Sequence, residues 1–150
     1  MSLTKKIAAV LVILVAGYLG LLQQPGKAPL GLPDGAEVSI GDGQITRAFR
    51  QRAKDLWVRG EGEVIRLLPD DLDGSRHQRF IIRLDSGQTV LIAHNIDLAP
   101  RVDALNAGDS IEFSGIYEWN DRGGVVHWTH HDPQGRRRGG WIEHLGKRYR

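Results

Sequence analysis

At 150 residues, 41% of them hydrophobic, the chain is the size of one domain and long enough to bury a core. Its formal charge of +2 is supplied by Lys5 and Lys6, since the other 18 Lys and Arg balance the 18 Asp and Glu; a basic balance is therefore no nucleic-acid signature by itself. With no cysteine, a thiol nucleophile, a lipoprotein anchor and thiolate metal ligation are excluded, and an oxidising compartment is suited.

The first element is apolar. Residues 7–22, IAAVLVILVAGYLGLL, carry no charge and follow two lysines, the pattern of a short membrane anchor or a signal-peptide core. We read residues 1–22 as an uncleaved anchor in the cytoplasmic (inner) membrane, with cleavage near VAG (15–17) and secretion as the alternative. Either way the positive flank stays cytoplasmic and the rest faces the periplasm or the outside. Residues 23–41 form a linker, where QQPGKAPLGLPDG holds three prolines and three glycines.

Residues 42–150 form the folded domain. DGQITRAFRQRAKDLW spaces Ile45, Phe49, Ala53 and Leu56 at helical intervals, predicting an amphipathic helix of about three turns capped by Asp42. From Trp57 the period changes to two. WVRGEGEVIRLL reads as a strand bent at its glycines, and PDDLDGS as a turn. RHQRFIIRL is a strand with Phe80, Ile82 and Leu84 on one face and His77, Arg79, Ile81 and Arg83 on the other. QTVLIAHNI is a third strand, DLAPRVDALNAGD a helical or turn connection, SIEFSGIYEW a fourth strand and VVHWTHHD a fifth. The expected fold is mainly β: a small five-stranded OB-like antiparallel barrel with an N-terminal amphipathic helix. A half-open sheet crossed by that helix is the alternative. The last residues, GRRRGGWIEHLGKRYR, read as a basic tail.

The runs GEGEVIRLLPDDLDGSRHQRFIIRLDSGQTVLIAHNIDLAP, GDSIEFSGIYEWNDRGGVVHWTHHDP and GGWIEH resemble bacterial domain-of-unknown-function family 3465. The resemblance covers about residues 60–141. It implies one domain in an exported or membrane-anchored setting, and it carries no mechanism or cofactor.

All six histidines lie after residue 76. If HWTHH is one strand, His127 and His131 share a face with Thr129, and His130 lies opposite with Trp128. Residues four apart on a strand are separated by roughly 13 Å, so His127 and His131 cannot hold one metal ion together. A metal-binding domain would need ligands from neighbouring strands, such as His77 or His94 with Asp132 or Glu118. No metal ligand set or cofactor is assigned.

The chemistry these residue types favour is acid–base cleavage of a phosphodiester, as in a nuclease. Two imidazoles serve as base and acid near neutral pH, and a guanidinium stabilises the developing charge. The candidate catalytic set is His77 with His127 or His131 as acid and base, and Arg79 as anion stabiliser. His94 and Asn95 would orient the site, and Asp132 would position a histidine. Arg76, Arg136, Arg137, Arg138 and Trp141 are candidate contacts to nucleic acid or another phosphate polyanion. The competing reading is a non-catalytic envelope module binding such a polyanion with the same face. Plain structural roles stand beside both: His94 shares the Val90 and Ile92 face as a core histidine would, and Tyr117 shares the Ile111 and Phe113 face. No protein partner is evident.

Overall fold

The computed structural model describes residues 42–150. The anchor, the linker and the capping side chain of Asp42 lie outside the described residues. Among the described residues no helix is long and apolar enough to cross a membrane.

Helix α1 (Asp42–Arg50) buries Ile45 and Ala48 and ends with Arg47 and Arg50 exposed in its last turn. It is shorter than its apolar spacing suggests. Arg52 turns left-handed (φ 52°), and Ala53 N–H reaches back to the Ala48 carbonyl (2.9 Å) while Arg52 N–H meets Phe49 (3.1 Å). These two bonds close the helix in a Schellman-type stop. The helical spacing of Ala53 and Leu56 is thus a coincidence of composition, and Leu56 already belongs to the first strand.

Seven strands follow: β1 (Leu56–Leu67), β2 (His77–Arg83), β3 (Thr89–Asn95), β4 (Ser110–Glu118), β5 (Val125–His127), β6 (Trp141–His144) and β7 (Lys147–Tyr149). Strands β1, β2, β3, β5 and β4 pair in that order, and β4 pairs back onto β1 to close a five-stranded barrel. The expected OB-like barrel is present, with one correction: β5 lies parallel to β3, with Val125 opposite Leu91 and Val126 opposite Ile92. The barrel is mixed because the other four pairings are antiparallel, and a closed ring of five strands then leaves its fifth pair parallel.

Strand β1 serves two neighbours. Its first part pairs with β4, from Leu56 opposite Tyr117 to Glu63 opposite Ser110. Its last part pairs with β2, from Glu63 opposite Arg83 to Leu67 opposite Phe80, with a bulge between Val64 and Arg66 that bends the strand round the barrel. Gly60 and Gly62 point inward, where a Cβ on Gly60 would lie 2.9 Å from Phe113 and one on Gly62 would lie 2.8 Å from the Arg83 carbonyl. The glycines therefore let the strand cross close to its neighbours.

Alternation fills the interior with Val58, Val64, Phe80, Ile82, Val90, Ile92, Ile111, Phe113, Tyr117 and Val126, all buried together. Ile45 of α1 joins this core. The β3–β4 connection is a series of turns without a helix. Buried Gln78 holds it by a two-way clamp on Val102, donating to the carbonyl (3.0 Å) and accepting from the N–H (2.9 Å).

The predicted basic tail is a structured hairpin. β6 pairs with β4 (Phe113 opposite Ile142, Ser114 opposite Trp141), and β7 pairs with β6. Buried Ile142 and Tyr149 anchor it in the core. Two apolar residues thus override a predominantly cationic composition.

Candidate functional site

The stretch HWTHH is not one strand. β5 stops at His127, and Trp128 adopts φ 56°, which breaks the alternation on which the predicted faces rested. Thr129 and His130 are consequently both buried, and His131 is exposed.

His94 is fully buried, and both ring nitrogens are engaged. Its Nε2 lies 3.1 Å from the Pro100 carbonyl, which can only accept, so Nε2 carries the proton. Nδ1 then accepts from the Thr129 hydroxyl at 2.8 Å. Burial holds the His94 pKa below the usual histidine range, against the opposing pull of the Pro100 carbonyl. This neutral imidazole stitches β3 to the loops at the barrel's end.

Other members of the predicted set are also tied into the scaffold. Arg79 donates from Nε and Nη2 to the Pro69 carbonyl (3.2 and 3.1 Å), with Asp71 at 3.7 Å. Asn95 Oδ1 accepts from Asp97 N–H (2.9 Å). Asp132 accepts backbone N–H groups from Gln134, Arg136 and Arg137 (3.1, 2.7 and 2.7 Å), and these bonds, Gln134 first, keep its carboxyl below the usual range. Arg76 is paired with Asp97 through both its backbone N–H (2.7 Å) and Nε (2.6 Å).

The remaining histidines differ in freedom. His77 Nδ1 donates to the Ser75 carbonyl (2.7 Å), and its backbone pairs with Asn95. His130 Nδ1 donates to the His131 carbonyl (2.6 Å) while its ring packs on Trp128, centroids 4.8 Å apart. Half-buried His127, opposite Ile116 of β4, has no hydrogen-bond partner among the described residues. Desolvation lowers its pKa, Glu118 and Asp55 raise it, and His77 and His130 lower it further. No hydrogen bond joins His77, His127 and His130. Among the described residues no three His, Asp or Glu side chains gather as metal ligands.

The outer side of β1, β4 and β6 carries a second constellation, of which only part was expected. Trp57 Nε1 donates to Ser114 Oγ (3.0 Å), and Ser114 lies opposite Trp141. Trp128 Nε1 donates to the Arg138 carbonyl (3.1 Å). Each indole lies under a guanidinium: Trp57 under Arg138 (4.7 Å), Trp128 under Arg137 (5.8 Å), and Trp141 under both Arg59 (5.2 Å) and Arg148 (4.1 Å). All three indoles are half-exposed. Arg59 pairs with Glu112 and Arg148 with Glu143, whereas Arg137 and Arg138 have no carboxylate partner among the described residues. Trp141 and Arg136–Arg138 were predicted contacts. Trp57, Arg59 and Arg148 were missed, although the parity of Trp57 and Arg59 on β1 already places them on its outer face.

Another missed residue is His144. Its Nε2 donates to Asp109 (2.9 Å), and its buried Nδ1 has no partner among the described residues.

Fold and surface together define the class: a small, closed, mixed β-barrel with an aromatic and cationic outer wall. The chain matches the family described as a protein of unknown function (DUF3465) over residues 33–150. It belongs to that family. No curated protein matches the chain.

Proposed function

We propose that this domain is a non-catalytic polyanion-binding module, held outside the cytoplasmic membrane by residues 7–22, and that the tryptophan and arginine wall is its ligand surface. One observation carries the reading: Trp57, Trp128 and Trp141 stand half-exposed on one side of the barrel, each under a guanidinium. Stacking occupies the face of a guanidinium and leaves its N–H edge to donate to phosphate or another oxyanion. Arg137 and Arg138 are free to do so, and Arg136 adjoins them.

The test measures binding of heparin and of labelled oligonucleotides to the full chain in neutral detergent, by fluorescence anisotropy across a salt series. Neutralisation of about three phosphates predicts a log–log salt slope near −2 for a single strand. Arg137→Gln with Arg138→Gln should flatten that slope and weaken binding. Absence of binding to any polyanion at low salt would overturn the reading.

Cleavage of a phosphodiester is the second reading, favoured by His127, whose half-buried imidazole has its pKa lowered by desolvation and has no hydrogen-bond partner among the described residues. It retains His127 and, through its Nε2, His77 as acid and base, since only Nδ1 of His77 is bonded, to the Ser75 carbonyl, whereas His94, Arg79, Asn95 and Asp132 are tied into the scaffold. Incubation with nucleic acid, with and without chelator, tests it. Cleavage abolished by His127→Ala in a folded protein supports this reading; intact substrate in both conditions removes it.

A further inference from the structure

Trp128 also lines a cleft of about 540 Å³ together with Asp132, Gln134, Arg136 and Arg137. This volume lies in the range of small-ligand sites. The cleft's lining differs in chemistry: a flat indole and two arginine side chains. The loop carrying the arginines is shaped by Asp132, which holds the backbone N–H groups of Gln134, Arg136 and Arg137. The indole is fixed by its bond to the Arg138 carbonyl and by the His130 ring. Of the five guanidinium–tryptophan contacts, Arg137 over Trp128 is the most widely spaced, at 5.8 Å.

We infer that this cleft is a one-nucleotide subsite for single-stranded nucleic acid, in which a base displaces Arg137 from the Trp128 ring and stacks there while its phosphate meets Arg136 and the displaced Arg137. The inference rests on the polyanion reading and makes it specific. A polyanion without flat rings would use the arginines but leave the indole idle. A duplex keeps its bases stacked on each other and so offers no free base face to a tryptophan. The location matters too: β4, the strand to which the Trp57- and Trp141-bearing strands β1 and β6 pair, lies across the barrel from β2 and β3, the usual ligand strands of OB-like barrels.

The experiment compares four probes on the full chain in neutral detergent: a labelled oligothymidylate, the same length as an abasic strand, the corresponding duplex, and heparin. The thymidylate should bind about tenfold or more tightly than the abasic strand, the gain expected from one stacked base. Trp128→Leu should abolish the preference, so that this variant binds thymidylate no more tightly than it binds the abasic strand. Trp128→Phe should restore part of the difference. Arg137→Gln should weaken both strands together. Equal wild-type affinity for thymidylate and abasic strands overturns the stacking subsite while leaving polyanion binding in place. Failure to bind all four probes overturns the polyanion reading itself. The wild-type comparison decides the matter even where Trp128→Leu does not fold.

Discussion

Replacing His94 by alanine separates a structural role from a catalytic one. The imidazole is fully buried and bonded at both nitrogens, so truncation leaves a cavity and an unpaired, buried Thr129 hydroxyl. The cavity costs about 2–3 kcal/mol, and the orphaned hydroxyl adds about 1–2 kcal/mol; the Pro100 carbonyl, beside an exposed residue, can turn to water. A loss of about 4 kcal/mol corresponds to a fall in Tm of roughly 15 °C in a domain of this size. The pH dependence supplies a second readout. The folded pKa of His94 lies below that of the unfolded chain, so the unfolded state takes up a proton first as pH falls. Its contribution is complete above about pH 6.5 and shrinks as pH drops from there toward the folded pKa. His127 and His130 are shifted in the same direction. Thermal melts between pH 8 and 5 should therefore show Tm falling with acidity, with a shallower slope in His94→Ala. If the variant keeps its Tm within a few degrees yet loses cleavage or ligand binding, the structural assignment of His94 is wrong.

Three further outcomes follow from the geometry. Gly124→Ala should cost about 3 kcal/mol or more by denaturant unfolding, because Gly124 has φ 94° and a Cβ there would strike the Tyr117 ring. Asp97, Asp109 and Asp132 are held below the usual carboxylate range, first by backbone N–H bonds from Arg76, Asn106 and Gln134 respectively. Their contribution is complete above an unfolded value of about 3.9 and is lost as pH falls through the folded values, so an acid unfolding limb below about pH 4 is expected, and Asp109→Asn should lessen its steepness. Asp132→Ala should leave most of the thermal stability intact while weakening oligonucleotide binding, since its carboxylate orders the loop that presents Arg136 and Arg137. Unchanged affinity in that variant would show that loop order is immaterial.

The sequence by itself determined which way side chains point wherever the backbone stays extended. Phe80, Ile82 and Leu84 lie inside, while His77, Arg79 and Arg83 lie outside. His94 joins Val90 and Ile92 in the interior, and Tyr117 joins Ile111 and Phe113. This alternation is a local property of the extended chain and needs no knowledge of partners. The barrel and its five strands were legible for the same reason. Tertiary structure decided what depends on closure and on single-residue departures from regularity. One left-handed residue, Trp128, moved Thr129 and His130 inward and dissolved the face on which His127 and His131 were paired. Another, Arg52, stopped α1. Closure set β5 parallel to β3, and the burial of Ile142 and Tyr149 turned a cationic tail into a hairpin. Arginines with identical charge in the sequence were divided by their neighbours: Arg76 and Arg79 were fixed to Asp97 and Pro69, while Arg137 and Arg138 were left over tryptophan rings with no carboxylate partner among the described residues. A guanidinium's availability depends on what the fold brings within about 3 Å of it, and that distance is set across strands rather than along the chain.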